Sequence, residues 1–377
     1  MMSRIRVAHI SLSLTILLGG FVVVREFSSL KDVRCGREYA SHENKRESTK
    51  AQQAEQKVLQ HEVRITENTT KTTSTTTTTT TATSTVLPGS KDTLCPKVSP
   101  LLTGPTHITF EGPDDLNWPP TLEEIAQQNQ GLQPGGIYPG PTDCKPRSKV
   151  AIIIPYRDRE EHLRYNLHYL HGILQRQQLQ YIVVVVEQDN DYTFNKGLLM
   201  NLGFQYVMNS TNFTADCFFF HDVDTLSEND RTLYLCKGDS EVVHLSARLD
   251  KYNYRLCCGV TVGGVLGLKP QQFIKINGYS NKYCGWGGED DDINARIRHV
   301  GGFSIFRPNK KYNNFKMISH QHDQGNPVNG KRLQLLKAWG KRQPKDGVNS
   351  LEKEDIKIVK QVTHTRLYVR SRDCAAT

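Results

Sequence analysis

The stretch GWGGEDDD, residues 285–292, sets four consecutive acids after a tryptophan among glycines, in a chain whose formal net charge is +9. A second acidic pair, Asp222 and Asp224, closes the stretch DCFFFHDVD. Carboxylates two apart in extended chain point the same way. Such a pair at a strand end suits a hard divalent cation held together with a diphosphate. Arg157 and Arg159 follow an apolar run and offer the charged donors that grip phosphate. Taken alone, the DVD tripeptide fits a solvated acidic turn better. Crowded carboxylates such as those of GEDDD repel one another, which raises some pKa values and can tune a general base. An acidic helix start before INARIRHV explains the same residues through the helix dipole, and the two readings are compatible.

These groups need a scaffold. Val150–Ile154 reads as a buried strand ending at Pro155, and 161–179 carries Leu163, Leu167, Leu170, Ile173 and Leu174 at helical spacing. YIVVVVEQDN reads as a second buried strand, FNKGLLMNLGF as a short helix, and DCFFFHDVD as a third strand. The alternation predicts an α/β fold with a mostly parallel central sheet flanked by helices. Ligands of such sheets bind beyond the carboxyl ends of the strands, where the arginines and acids fall. No glycine-rich phosphate loop follows the first strand, which argues against a Rossmann dehydrogenase or a P-loop enzyme.

The first 94 residues are of another kind. Residues 7–24 form an uncharged, largely apolar run, just long enough to span a thin bilayer as a helix. A cleaved signal peptide is the rival; the flanking VVVREF offers no small-residue cleavage site, which favours an uncleaved anchor. Residues 25–94 end in a threonine-rich tract that has no apolar face to bury and reads as a disordered, O-glycosylated stem. Asn68, Asn209 and Asn212 head glycosylation sequons. The lysines and arginines flanking the span do not favour an external C-terminus. The stem, the sequons and the nine cysteines do, which gives a cytoplasmic tail at 1–6, a signal-anchor at 7–24 and a lumenal catalytic domain at 95–377. An odd cysteine count leaves one thiol unpaired in a monomer, and Cys35 in the stem is the candidate for a bridge between two chains.

The order VAIIIPYRDREEHL, FNKG, FFFHDVD, GWGGEDDD and MISH resembles the β-1,4-galactosyltransferase family, over nearly all of residues 94–370. The resemblance implies an inverting, manganese-dependent Golgi enzyme, single-pass and type II, of the GT-A nucleotide-sugar fold. Such an enzyme moves a sugar from a UDP donor to a terminal sugar. It implies Asp224, Met317 and His320 as Mn²⁺ ligands, although a thioether is an unusual partner for manganese. It implies Pro155, Tyr156, Arg157, Asp158 and Arg159 as the uridine and phosphate segment, with Tyr156 where the family has Phe. Phe194, Asn195 and Lys196 match a second donor segment, with Lys196 where the family has Arg and its bidentate fork. Asp222, Val223 and Thr261 fall beside the donor, and Trp286 covers it on a mobile loop.

By the same resemblance Asp290 is the catalytic base, Glu289 the runner-up and a donor-side group, and Gly288 and Asp291 acceptor contacts. A segment from about 318 to 338 closes over the donor and brings Arg332, Leu333 and Leu336 to the acceptor. Cys95 with Cys144 and Cys217 with Cys236 match the family's two bridges. Cys257, Cys258 and Cys284 have no family partner and are plausible as free buried thiols, and the pairing of these three and of Cys374 stays open.

The donor sugar turns on Thr261, where galactose-transferring members carry a Tyr. The smaller side chain leaves room beside C2 of the sugar, so the expectation is transfer of N-acetylgalactosamine from UDP-GalNAc. Galactose is the alternative and N-acetylglucosamine a remote one. The expected acceptor is a terminal β-linked N-acetylglucosamine on a glycoprotein or glycolipid. The excess of Lys and Arg suits an anionic donor and requires no nucleic acid. A catalytically silent sugar-binding protein on the same fold is the reading from another class. The intact DVD, EDDD and Met/His set argues against it, since a binder need not keep both base and metal. A metal-dependent phosphatase would need more ligands than these motifs supply.

Overall fold

The structure is a computed structural model and describes residues 93–110, 118–209, 213–256, 261–320 and 325–373. The expected anchor, nearly all of the stem, Cys35, Asn68, Asn212, Cys257, Cys258 and Cys374 lie outside these. Among the described residues no helix is long and apolar enough to cross a membrane.

In chain order the elements are α1 (Leu122–Gln128), β1 (Ile137–Tyr138), β2 (Lys149–Tyr156), α2 (Glu160–Arg176), β3 (Gln180–Gln188), α3 (Lys196–Asn209) and β4 (Cys217–His221). Then come β5 (Thr225–Ser227), β6 (Glu241–His244), β7 (Val265–Leu268), α4 (Pro270–Lys275) and α5 (Glu289–Arg296). The chain continues through β8 (Ser304–Phe306), β9 (Phe315–Met317), α6 (Arg332–Lys337), α7 (Trp339–Arg342), β10 (Asp355–Lys360) and β11 (Thr365–Arg370).

The main sheet runs β10-β11-β3-β2-β4-β7-β6-β8, with β1 also on β3. Its middle, β11-β3-β2-β4, is parallel, and so is the β6–β8 pair. The pairs β10–β11, β4–β7, β6–β7 and β1–β3 are antiparallel. The expected mostly parallel sheet is therefore corrected to a mixed one. The run of strands alternating with helices extends only to β4. Beyond it, β7 returns alongside β4 without a crossover helix, and its sequence, VLGL, is too short to signal direction.

The parallel strands are buried on both faces, which is why they read as unbroken Val and Ile. Alternate residues still choose different helices. Val150, Ile152 and Ile154 pack with Leu163, Leu167 and Leu170 of α2, while Ala151 and Ile153 pack with Leu199, Leu202 and Phe204 of α3. Gly203 lets α3 approach: a Cβ there would lie 2.4 Å from the Ile153 side chain. Cys95 is bonded to Cys144, and Cys217, in β4, to Cys236. Cys284 is disulfide-bonded too, with a partner outside the described residues, which replaces the free-thiol reading of it. The sequence could not show this, because no spacing rule fixes cysteine pairing.

A candidate active site at the carboxyl ends of the strands

The third strand stops at His221. Asp222–Thr225 is a turn closed by a hydrogen bond from the Thr225 N–H to the Asp222 carbonyl (3.3 Å). The expectation that the two acids share one side of extended chain is thereby corrected. The turn sends them to different partners. Asp222 faces Lys196, 3.0 Å away, and Asp224 faces His320 Nε2 at 3.1 Å. Val223 between them is buried in the core.

Lys196 opens α3 and is the hub of the site. Its ammonium lies 3.0 Å from Asp222, 3.3 Å from Asp290 and 3.5 Å from Glu289. Burial works against its charge, and these carboxylates outweigh burial, so its pKa stands well above the usual lysine value. Glu289 is raised to about 7, mostly by burial and next by Asp290. Asp222 is raised to about 6, again mostly by burial, with Lys196 opposing. Burial pushes Asp224 upward as well, but His320, Arg159 and Lys251 together hold it below its usual value.

Two glycines make this packing feasible. Gly288 caps α5 at φ 101°, a conformation that disfavours a side chain. Gly263 lies against Asp290: a Cβ there would sit 2.2 Å from its Oδ2. The four acids thus divide. Glu289 and Asp290 face Lys196. Asp292 turns inward, fully buried, to Arg296 (2.5 Å), Arg342 (2.7 Å) and the Tyr283 hydroxyl (3.0 Å). Arg342 also pairs with Asp346, which fastens the start of α5 to the chain after α7.

A ladder brings the metal candidates together. β5 pairs antiparallel with β9, which sets Thr225 opposite Met317, and the Ile318 N–H donates to the Asp224 carbonyl (2.8 Å). Met317 and His320 therefore flank Asp224. The set offers one carboxylate, one imidazole and one thioether, and the facing Asp224 and His320 fit a divalent ion whose remaining ligands come from a bound diphosphate. Among the described residues there is no group of three or more His, Cys, Asp or Glu that could hold a metal, in keeping with only two such ligands here.

Other predicted residues are placed differently. Arg157 Nη1 donates to the Tyr192 carbonyl (2.7 Å) and its guanidinium lies over Phe194, whereas Arg159 is near enough to Asp224 to lower its pKa. Pro155 and Tyr156 end β2, and the Tyr156 ring carries the Arg366 guanidinium. Asp158 is exposed, at φ 47°. Asn195 spends its side chain on structure, accepting from the Leu198 N–H to cap α3 and donating to the Asn281 carbonyl. Trp286 is zipped to the 327–329 segment by backbone hydrogen bonds, and Arg332 stacks on its ring (5.6 Å). Leu333 is 58% exposed, Leu336 half-buried on the same helix. Asp291 is half-buried in the first turn of α5, and Asn209 is exposed at the end of α3. Sequence reasoning missed Gly263, Asn166 and His162. His162 has its ring 5.7 Å from that of His320, and burial lowers it to about 4. The signal available for His162 was its place in the first turn of the helix after the arginines.

Two family models match the chain. One, described as the N-terminal region of glycosyl transferase group 7, covers residues 95–237; the other, the N-terminal domain of galactosyltransferase, covers 243–321. β-1,4-Galactosyltransferase 3 of Homo sapiens is 43% identical over 257 residues, 68% of this chain and 63% of its own. β-1,4-Galactosyltransferase 1 of Homo sapiens is 42% identical over 275 residues, 73% of this chain and 66% of its own. The match to the Bos taurus β-1,4-galactosyltransferase 3 spans 62% of that protein's length. Among solved structures, the Drosophila β-1,4-galactosyltransferase 7 catalytic domain with xylobiose is 29% identical, with a TM-score of 0.49 over 59% of this chain and 93% of that one.

These relatives overturn the expectation of N-acetylgalactosamine as donor, since they are named consistently as galactosyltransferases. The physical reason lies at Thr261. Its Oγ1 accepts from the Gly263 N–H (3.4 Å) and its carbonyl from Arg307, so it is engaged with its own turn. One small side chain also changes discrimination by only about 1–3 kcal/mol, too little to settle a donor.

Proposed function

The chain belongs to the β-1,4-galactosyltransferase family, and on that premise we propose that it transfers galactose from UDP-galactose in β-1,4 linkage, with inversion and dependent on Mn²⁺. The acceptor is a terminal β-linked N-acetylglucosamine of a glycoprotein or glycolipid. The observation that carries this reading is the convergence on Lys196 of carboxylates from two motifs, Asp222 on one side and Glu289 and Asp290 on the other, beside the Asp224–His320 pair.

Asp290 takes the proton from the acceptor hydroxyl as its oxygen attacks the anomeric carbon, the bond to the diphosphate breaks, and UDP leaves. Lys196 holds Asp290 and Asp222 at a fixed separation. Asp222 meets the donor sugar and Arg159 its phosphates. Asp224, Met317 and His320 hold Mn²⁺, which when bound supplies positive charge against the departing diphosphate. Trp286 covers the donor, and Arg332, Leu333 and Leu336 border the acceptor. The chain is a single-pass type II protein of the Golgi membrane, with residues 95–377 as the lumenal catalytic domain. The stem support for this is the threonine tract and the sequons.

The test is a donor screen against one β-N-acetylglucosaminide, with and without Mn²⁺. UDP-galactose should be turned over fastest, only with metal, and UDP-N-acetylgalactosamine at a small fraction of that rate. No transfer from any UDP-sugar, with binding intact, would leave the silent sugar-binding reading in its place.

A further inference from the structure

Helix α2 presents an apolar stripe to the sheet, in which Leu163, Leu167, Leu170, Ile173 and Leu174 are all buried. Asn166 stands in that stripe and is 1% exposed. A carboxamide among leucines is unfavourable unless it is hydrogen-bonded, because its desolvation is otherwise uncompensated. Asparagine is also a poorer helix former than leucine. Its retention there calls for a partner that only a polar side chain can serve.

The partner is the acidic turn. Asn166 Nδ2 donates to the Val223 carbonyl (3.1 Å) and lies within reach of the carbonyls of Asp222 (3.4 Å) and Thr225 (3.5 Å). All three are acceptors, so the amide can sit only with its NH₂ toward them. Its Oδ1 is buried without a partner in the protein. Asn166 also lines a cavity of about 10 Å³, shared with His221, Tyr234 and Thr225, the size of a single water. His221 Nδ1 reinforces the Asp222 carbonyl from the other side (2.9 Å). With these carbonyls drawn to α2, the carboxylates of Asp222 and Asp224 point away from it, one to Lys196 and one to His320.

From this geometry we infer that Asn166 is a positioning residue for the donor and metal site: its NH₂ holds the 222–225 turn in the one shape that presents both carboxylates. It touches neither substrate nor ion and acts through the turn. The inference rests on the proposed metal and donor reading, and the experiment separates the two. Titrate Mn²⁺ into the purified protein with UDP, by calorimetry or by the loss of free-ion electron spin resonance, for the native chain, Asn166→Leu and Asn166→Asp. The leucine variant keeps the branched shape and removes the donor; the aspartate variant turns an oxygen toward three carbonyls.

In both variants the Mn²⁺ dissociation constant and the KM for UDP-galactose should rise at least tenfold. The acceptor KM should stay within twofold, and the near-ultraviolet circular dichroism should match the native protein. Native dissociation constants with lowered thermal stability would overturn the inference, leaving Asn166 a packing residue. Failure of both variants to fold would overturn it equally, as a requirement of the fold. If the native chain itself binds no Mn²⁺ with UDP, it is the metal reading that fails.

Discussion

Replacing Gly263 with alanine is the sharpest single perturbation of the proposed base. The new methyl would lie 2.2 Å from Asp290 Oδ2 and 2.9 Å from its Cγ. Ordinary carbon–oxygen contact lies well over 3 Å, so one group must move by about 1 Å or more. The backbone at 263 is the stiffer partner, since its carbonyl accepts from both Ser246 and His244. The carboxylate therefore swings, and its 3.3 Å contact with Lys196 lengthens. Displacing a catalytic group by about 1 Å costs on the order of 100-fold in rate. Overpacking of this kind destabilises by about 1–3 kcal/mol. The expected outcome for Gly263→Ala is a kcat reduced about 100-fold, with UDP binding within a few-fold of native and a melting temperature lower by only a few degrees. Steady-state kinetics with varied donor at saturating acceptor, alongside calorimetric UDP binding, reads all three. A folded variant with kcat within threefold of native would refute the reasoning, because Asp290 could then lie elsewhere without consequence.

Other expectations follow from the same site. Asp290→Asn, nearly isosteric but unable to take the proton, should lower kcat by about 10²–10⁴ while UDP still binds; near-native turnover would transfer the role to Glu289. His320→Ala should raise the Mn²⁺ concentration for half-maximal activity by at least about tenfold, and an unchanged activation curve would remove His320 from the ligand set. Glu289 supplies a pH test of stability. Its folded pKa, about 7, exceeds the usual 4.5, so the folded state binds the proton more tightly. The stability it withdraws is fully withdrawn above pH 7 and restored as pH falls toward 4.5. Glu289→Gln should thus melt above native at pH 8, by a margin that shrinks by pH 5; a margin independent of pH would count against the raised pKa.

What the sequence revealed tracks how local each signal is. The strands at 149–156 and 180–188 announced themselves because burial on both faces demands continuous Val and Ile. The division of labour within GEDDD was not legible. Asp290 and Asp292 are chemically identical, and only the approach of Lys196 on one side and of Arg296 and Arg342 on the other separates them. Asn195 matched a donor segment by position; that its side chain also caps α3 was not legible, because a motif records residues and not which face they turn. The DVD acids were found as a pair but mistaken in geometry, since a three-residue pattern cannot tell extended chain from a turn held by a distant asparagine. Thr261 misled because a size argument at one position ignored the hydrogen bond its hydroxyl makes nearby.

The place of β11 has a consequence for how the chain is made. This strand is synthesised long after β3, yet it lies beside it, pairing Thr365 with Val184 and Val369 with Gln188. The two strands stand roughly 180 positions apart, so at about 5–20 residues per second β3 waits some 10–35 s for its neighbour to emerge. Throughout that interval Val184, Val185 and Val186 present an open, β-branched edge, the kind of template on which nascent chains cross-pair. A newborn copy is thus most exposed to its neighbours on the polysome just before β11 emerges. A premature stop before residue 365 would make that exposure permanent, and the product should be a substrate for quality control even though every proposed catalytic group precedes the break.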